Sequence, residues 1–237
     1  MFTDIHTHIL HKIDDGPESI EKSVELLNQA VLNGVKNIVA TPHFYADKHS
    51  LNERINLAKE RVAQLKGAII QNEIPVSLIS GFEVRYFEGI SRIDSLNRLC
   101  INDSNFLLLE LEPYPITERV VDDILNMSYA GYTVILAHIE RYVKIPGFKL
   151  IKSLIAEGEV ISQCNASSFI SGSFQRAANR LLKEDMVSII ASDMHSVDMR
   201  PPNLAEAYKA IEDKFNSVTK ERLIFKAEEI FKLCSGE

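Results

Sequence analysis

Apolar positions along the chain fall into two alternating patterns. Short, nearly continuous apolar runs occur at FTDIH (2–6), NIVATPH (37–43), VSLISGFEV (76–84), FLLLELE (106–112), YTVILAH (132–138), VISQCN (160–165) and VSIIASD (187–193). Several are nearly continuous Val, Ile and Leu, as expected of parallel strands covered on both faces. Between the runs, apolar residues recur every three or four positions, the spacing of a helix with one buried face. Ile20, Val24, Leu27 and Val31 trace such a face, with Pro17 placed as its first helical residue and Gly34 at its end. Leu51, Ile55, Ala58, Val62 and Leu65 trace another over 51–70. Further helices are predicted at 116–130, 147–157, 173–184, 202–215 and 219–234, whereas 85–98 follows neither pattern clearly. Seven strand–helix units in 237 residues predict an α/β fold. A closed or nearly closed parallel barrel suits that count, and a doubly wound open sheet is the alternative. No linker, repeat or low-complexity stretch divides the chain, so 1–237 reads as one domain.

The ends of the apolar runs carry a different chemistry. His6 and His8 close the first run, His43 the second and Glu83 the third. Glu110 lies near the end of the fourth, His138 ends the fifth, and Asp193 and His195 end the seventh. In an α/β barrel all these ends open on one face, where the loops build the active site. His6 and His8 are two apart and project to the same side of an extended backbone. Asp14 and Asp15 occupy the loop above them. Each residue alone has a plain structural role open to it, as a turn former, a helix cap or half of an ion pair. Together they are nine His, Asp and Glu side chains from six strand units: His6, His8, Asp15, His43, Glu83, Glu110, His138, Asp193 and His195. Four carboxylates packed at one rim would raise one another's pKa values, and divalent cations remove that conflict. So many ligands suggest two or three ions sharing carboxylate bridges. The set lacks Cys, which suits manganese, iron or zinc better than a structural zinc knot.

Charge and cysteine content narrow the function. The formal net charge is −7 without a block of like charge, which argues against nucleic acid held by bulk electrostatics. Three divalent ions against Asp15, Glu83, Glu110 and Asp193 would nevertheless leave the rim about +2, a local attractor for an anion. Arg141 follows His138 in HIERY, and Arg200 follows His195 in ASDMHSVDMRPP; each is placed either to grip phosphate oxygens or to form a salt bridge, with Glu140 or Asp198. Lys12 and Arg85 are weaker candidates, and His49 is left unassigned. Cysteine-dependent tyrosine phosphatases need Cys-x5-Arg, but Phe106 and Ile170 stand six positions after Cys100 and Cys164, and Cys234 is too near the end. That chemistry is excluded. Three scattered cysteines read as free thiols of a reducing compartment. With no signal-peptide pattern and no run of ~18 apolar residues, a cytoplasmic protein without membrane insertion is expected.

The motifs DIHTHIL, DDGP, NIVATPH, GFEV, LLLELE, AHIERY, ASDMH and RPPNLAEAY, in that order, resemble the polymerase-and-histidinol-phosphatase (PHP) superfamily. Within it, HIERY and the RPP segment resemble the bacterial tyrosine-protein phosphatases of capsule and exopolysaccharide operons. The resemblance implies a distorted seven-stranded TIM-like barrel and a trinuclear site, with manganese first and cobalt among the alternatives. It implies one ion on His6, His8, Glu83 and Asp193, a second on Glu83, Glu110 and His138, and a third on Asp15, His43 and His195. Asp15 is preferred to Asp14 by alignment. Arg141 and Arg200 would clamp phosphate, with His43 and His195 beside the reacting group. The implied reaction is hydrolysis of phosphotyrosine by a metal-bound hydroxide, on the tail of a polysaccharide-synthesis tyrosine kinase. Histidinol-phosphate hydrolysis and a non-catalytic metal-stabilised scaffold are the alternatives.

Overall fold

Every apolar run of the sequence contributes a strand in the computed structural model, which describes residues 1–236. Nine short strands result: β1 (Phe2–Thr7), β2 (Val35–Ala40), β3 (His43–Phe44), β4 (Ser77–Ser80), β5 (Glu83–Arg85), β6 (Phe106–Glu110), β7 (Thr133–Leu136), β8 (Val160–Asn165) and β9 (Ile189–Ala191). All pairings between them are parallel. The helices are α1 (Ile20–Leu32), α2 (Leu51–Gln71), α3 (Glu118–Tyr129), α4 (Phe148–Ala156), α5 (Ser167–Ile170), α6 (Gln175–Lys183), α7 (Leu204–Lys214) and α8 (Ser217–Ser235).

Two of the seven expected strands are broken, and the expected single ring becomes two sheets, β1-β2-β4 and β3-β5-β6-β7-β8-β9. The reasons lie in the residues at the breaks. Pro42 has no N–H to continue the ladder between β2 and β3. Gly81 separates β4 from β5, where a Cβ would come within 2.8 Å of the Ile101 backbone. Main-chain bonds still cross from the end of β9 to β1, Asp193 N–H to the His6 carbonyl at 3.0 Å and His8 N–H to Met194 at 2.9 Å.

Pro17 does not open α1 as the pattern predicts. The helix begins at Ile20, capped by the Ser19 side chain. Residues 14–18 are held as a loop: the Asp14 carboxylate accepts from Gly16 N–H, and Lys12 N–H bonds to the Pro17 carbonyl. Gly16 is required there, since a Cβ would stand 2.2 Å from the His8 carbonyl oxygen. The unclear stretch after residue 85 folds as short 3-10 turns, Ile90–Arg92, Leu96–Leu99 and Ile101–Asp103.

One apolar cluster fills the space between strands and helices. A second joins Ile5, Val39, Leu108, Ile135 and Ile189 to Ala227, Ile230 and Phe231 of α8. These layers leave the polar strand ends at the opposite, loop-bearing end of the strands.

Candidate metal centre

The strand ends bring all nine His, Asp and Glu candidates into one cluster, centred on Glu83. The residue is 1% exposed, and its carboxylate lies against four imidazoles. His138 Nε2 and His6 Nε2 approach Oε1 at 2.9 and 3.4 Å. His43 Nδ1 and His8 Nε2 approach Oε2 at 2.8 and 3.2 Å. Around this centre His138 Nε2 is 3.4 Å from Glu110, and Asp193 Oδ1 is 3.5 Å from both His6 and His8. Asp15 Oδ1 faces His195 Nε2 at 3.2 Å and His43 Nε2 at 3.5 Å.

Three overlapping groups can each close on a cation: His8, Asp15, His43 and His195; His6, His8 and Asp193; and His43, Glu83 and Glu110. Atoms that share an ion at about 2.0–2.2 Å lie roughly 3.0–3.5 Å from one another, close to the spacings in this cluster. His43 Nδ1 and Glu83 Oε2 are 2.8 Å apart and buried, yet neither meets a hydrogen-bond partner among the described residues. His6 and His8 turn their Nε2 atoms toward each other at 3.2 Å. Buried donor atoms aimed at each other without satisfied bonds fit divalent cations.

In His6, His8, His138 and His195 the other ring nitrogen is tied off, which orients Nε2 inward. His138's own N–H donates to Gln163 Oε1 at 2.9 Å, so that atom is an oxygen and His6 Nδ1 donates to it at 3.1 Å. His8 Nδ1 donates to Asp14 at 2.8 Å, and His195 Nδ1 to the Asp193 carbonyl at 2.9 Å. His138 Nδ1 meets the Tyr142 hydroxyl at 3.1 Å. His138 and Asp193 both have left-handed backbones, φ 35° and 55°, where a non-glycine side chain is strained.

Electrostatics agree with this geometry. Burial acts to lower the His8 pKa, but Asp14 and Glu83 outweigh it and push it up to about 10. Burial is likewise outweighed at His138 by Glu110 and Glu83, and its pKa rises to about 9. Burial acts to raise the Glu83 pKa, yet the neighbouring His6, His138 and His43 hold it well below the usual carboxylate range. Without cations, protons on the imidazoles balance the carboxylates; bound cations take over that charge.

Arg141 and Arg200 converge on one side of the cluster. Arg141 Nη2 lies 2.9 Å from Asp193 Oδ2, Arg200 Nη2 bonds the same oxygen, and Arg200 Nη1 is 2.8 Å from His195 Nε2. Neither pairs with Glu140 or Asp198. Glu140 is instead buried as acceptor to Asn165 N–H and Ser168 Oγ. Arg85 stacks 3.7 Å over the Tyr45 ring, 3.9 Å from Glu110, and His49 Nδ1 accepts from Tyr45 N–H. Lys12 is exposed. The supporting residues Gln163, Asn165 and Tyr142 have no role in the sequence reading, and Asp14 enters it only as the alternative ligand to Asp15. Gln163 and Asn165 did carry a signal, two polar residues alternating at the end of an apolar strand. All three cysteines are free and buried.

The profile described as "Capsular polysaccharide synthesis, CpsB/CapC" matches residues 2–232. The chain belongs to this family. It is 28% identical over 228 residues to tyrosine-protein phosphatase CpsB of Streptococcus pneumoniae, covering 90% of this chain and 91% of that protein. It is 30% identical over 223 residues to CpsB of Streptococcus agalactiae serotype III, covering 88% of each. Among solved structures, one described as YwqE from Bacillus subtilis and CpsB from Streptococcus pneumoniae, "unique metal-dependent tyrosine phosphatases", superposes with a TM-score of 0.84. That match has 26% identity and covers 98% of this chain and 94% of the other. The family agrees with the resemblance carried by the sequence motifs.

Proposed function

We propose that the protein is a metal-dependent protein-tyrosine phosphatase that tunes capsule or exopolysaccharide biosynthesis. Its substrate is a phosphotyrosine protein, the tail of a polysaccharide-synthesis tyrosine kinase, met in the cytoplasm. The carrying observation is a cluster of nine His, Asp and Glu side chains at the strand ends with two guanidinium groups on its Asp193 side. The names of the family's relatives support the substrate class. No helix among the described residues is long and apolar enough to cross a membrane. The two sheets together make one domain, the distorted seven-stranded barrel of the PHP type, its ring joined by the contacts between β9 and β1.

His6, His8, Glu83 and Asp193 would hold one divalent ion, Glu83, Glu110 and His138 a second, and Asp15, His43 and His195 a third, manganese before iron, cobalt or zinc. Such ions, when bound, lower the pKa of coordinated water from 15.7 toward about 7 and neutralise phosphoryl oxygens. The chain's own residues supply orientation. Arg141 and Arg200, which share Asp193 Oδ2, present donors to a phosphoryl group carrying about −1.5 to −2 charge. Burial, outweighing Asp15, holds His195 below its ordinary pKa, so near neutral pH its ring is uncharged and binds rather than protonates. A phenolate with pKa about 10 departs without a strong acid.

The test is a side-by-side assay of chelated and metal-restored enzyme on phosphotyrosine peptide, histidinol phosphate and single-stranded DNA. Chelation should abolish activity, and manganese, cobalt or iron should restore it on the phosphotyrosine peptide first. Full activity in protein shown by elemental analysis to be metal-free would end the metal reading. A strong preference for histidinol phosphate would overturn the substrate while leaving the metals in place.

A second expected result concerns the chelated protein alone. The folded-state pKa values of His8 and His138 are raised, so the stability they contribute is full below about pH 6.5 and lost as pH rises to about 9 and 10. The melting temperature of chelated protein should therefore fall between about pH 7 and 10, with a much smaller fall in metal-loaded protein. Equal pH dependence in both forms would contradict it.

A further inference from the structure

Arg54 is a cation in a place that local physics disfavours. It lies in the first turn of α2, its N–H bonded to the Ser50 carbonyl at 2.9 Å. The helix dipole is positive there. The residue is only 7% exposed, and among the described residues none of its hydrogen bonds reaches a carboxylate. Its donors instead fasten main-chain oxygens. Nε and Nη2 bond to the His43 carbonyl at 2.9 and 2.6 Å, and Nη1 bonds to the Ile13 carbonyl. A residue that breaks a local rule without a local gain points to a role elsewhere in the structure.

The two carbonyls identify that role. Ile13 leads into Asp14 and Asp15, and His43 is itself part of the cluster. Asp14 grips the same place from the other side, since its Oδ2 accepts from His43 N–H at 3.2 Å and from His8 Nδ1 at 2.8 Å. The main chain of His43 is thus held at its N–H by Asp14 and at its carbonyl by Arg54. We propose that Arg54 is a positioning residue for the metal subsite of Asp15, His43 and His195, joining the first loop to β3 so that Asp15 and His43 face one ion. This rests on the metal reading given above. A planar guanidinium fork can reach two carbonyls at once; a lysine ammonium on its flexible stem holds them less well, and a glutamine is too short to span them.

The experiment measures ion content and affinity in wild type, Arg54→Lys and Arg54→Gln. Each intact chain is dialysed against graded free Co2+, analysed for cobalt and protein, and read by its visible Co2+ absorption. Both variants should keep the wild-type circular dichroism when chelated, and should bind one ion per chain about 10–100-fold more weakly than wild type, the range for groups that orient ligands. The Co2+ band belonging to that ion should appear only at higher free cobalt, and activity should return with it. Full, wild-type affinity for every ion in both variants would overturn the inference. So would loss of all ions together, or unfolding of both chelated variants, because either would make Arg54 a general structural residue. A wild-type chain that binds no cobalt would instead overturn the metal reading itself.

Discussion

Glu83→Gln is expected to lower kcat/KM on phosphotyrosine peptide by the order of a thousandfold or more, with the fold retained. Groups that only orient ligands cost about 10–100-fold when removed, and Glu83 stands closer to the centre than any of those. Its two oxygens face the ring nitrogens of His6, His8, His43 and His138. Glutamine keeps the shape but removes the negative charge and puts N–H donors where the proposed centre needs a carboxylate oxygen. The buried imidazoles then lose the anion that the proposed cations would share with them. The measurement is activity together with ion content. A Glu83→Gln enzyme with full metal loading and near wild-type turnover would refute a bridging role.

Much of this centre was legible in the sequence because strand ends are defined by simple periodicity. His6 and His8 lie two apart at the end of an apolar run, and five of the later runs also carry a His, Asp or Glu at or next to their end. The parallel order carries those ends to one face without further information. What was not legible depends on contacts between distant segments. Arg54 looks like an ordinary helix-surface residue until α2 is packed beside the His43 strand. The distinct settings of Asp14 and Asp15 are likewise invisible in DDGP. Asp14 is turned toward His8 and His43 N–H, whereas Asp15, whose side chain is 63% exposed, faces His43 and His195. The breaks in two strands had a local cause that the apolar pattern outvoted. Pro42 and Gly81 each interrupt a run whose Val and Ile content alone reads as continuous.

Arg141→Ala and Arg200→Ala are each expected to lower kcat/KM by about 10–150-fold, the equivalent of one charged hydrogen bond of about 1.5–3 kcal/mol. The loss should be similar on p-nitrophenyl phosphate and on phosphotyrosine peptides, because both present the same phosphoryl group to the guanidiniums. Competitive inhibition by inorganic phosphate should weaken in parallel. The double variant should lose less than the product of the two single losses, since both arginines meet the same Asp193 oxygen and act on one group. Ion content must be followed alongside. Asp193 is buried, with its Oδ2 also held by Asn165 Nδ2 at 2.6 Å, so removing one arginine leaves a partner on that oxygen and should leave the cluster loaded. A metal-loaded Arg200→Ala enzyme that is slow on peptides but unimpaired on p-nitrophenyl phosphate would move that arginine from the phosphoryl group to the peptide.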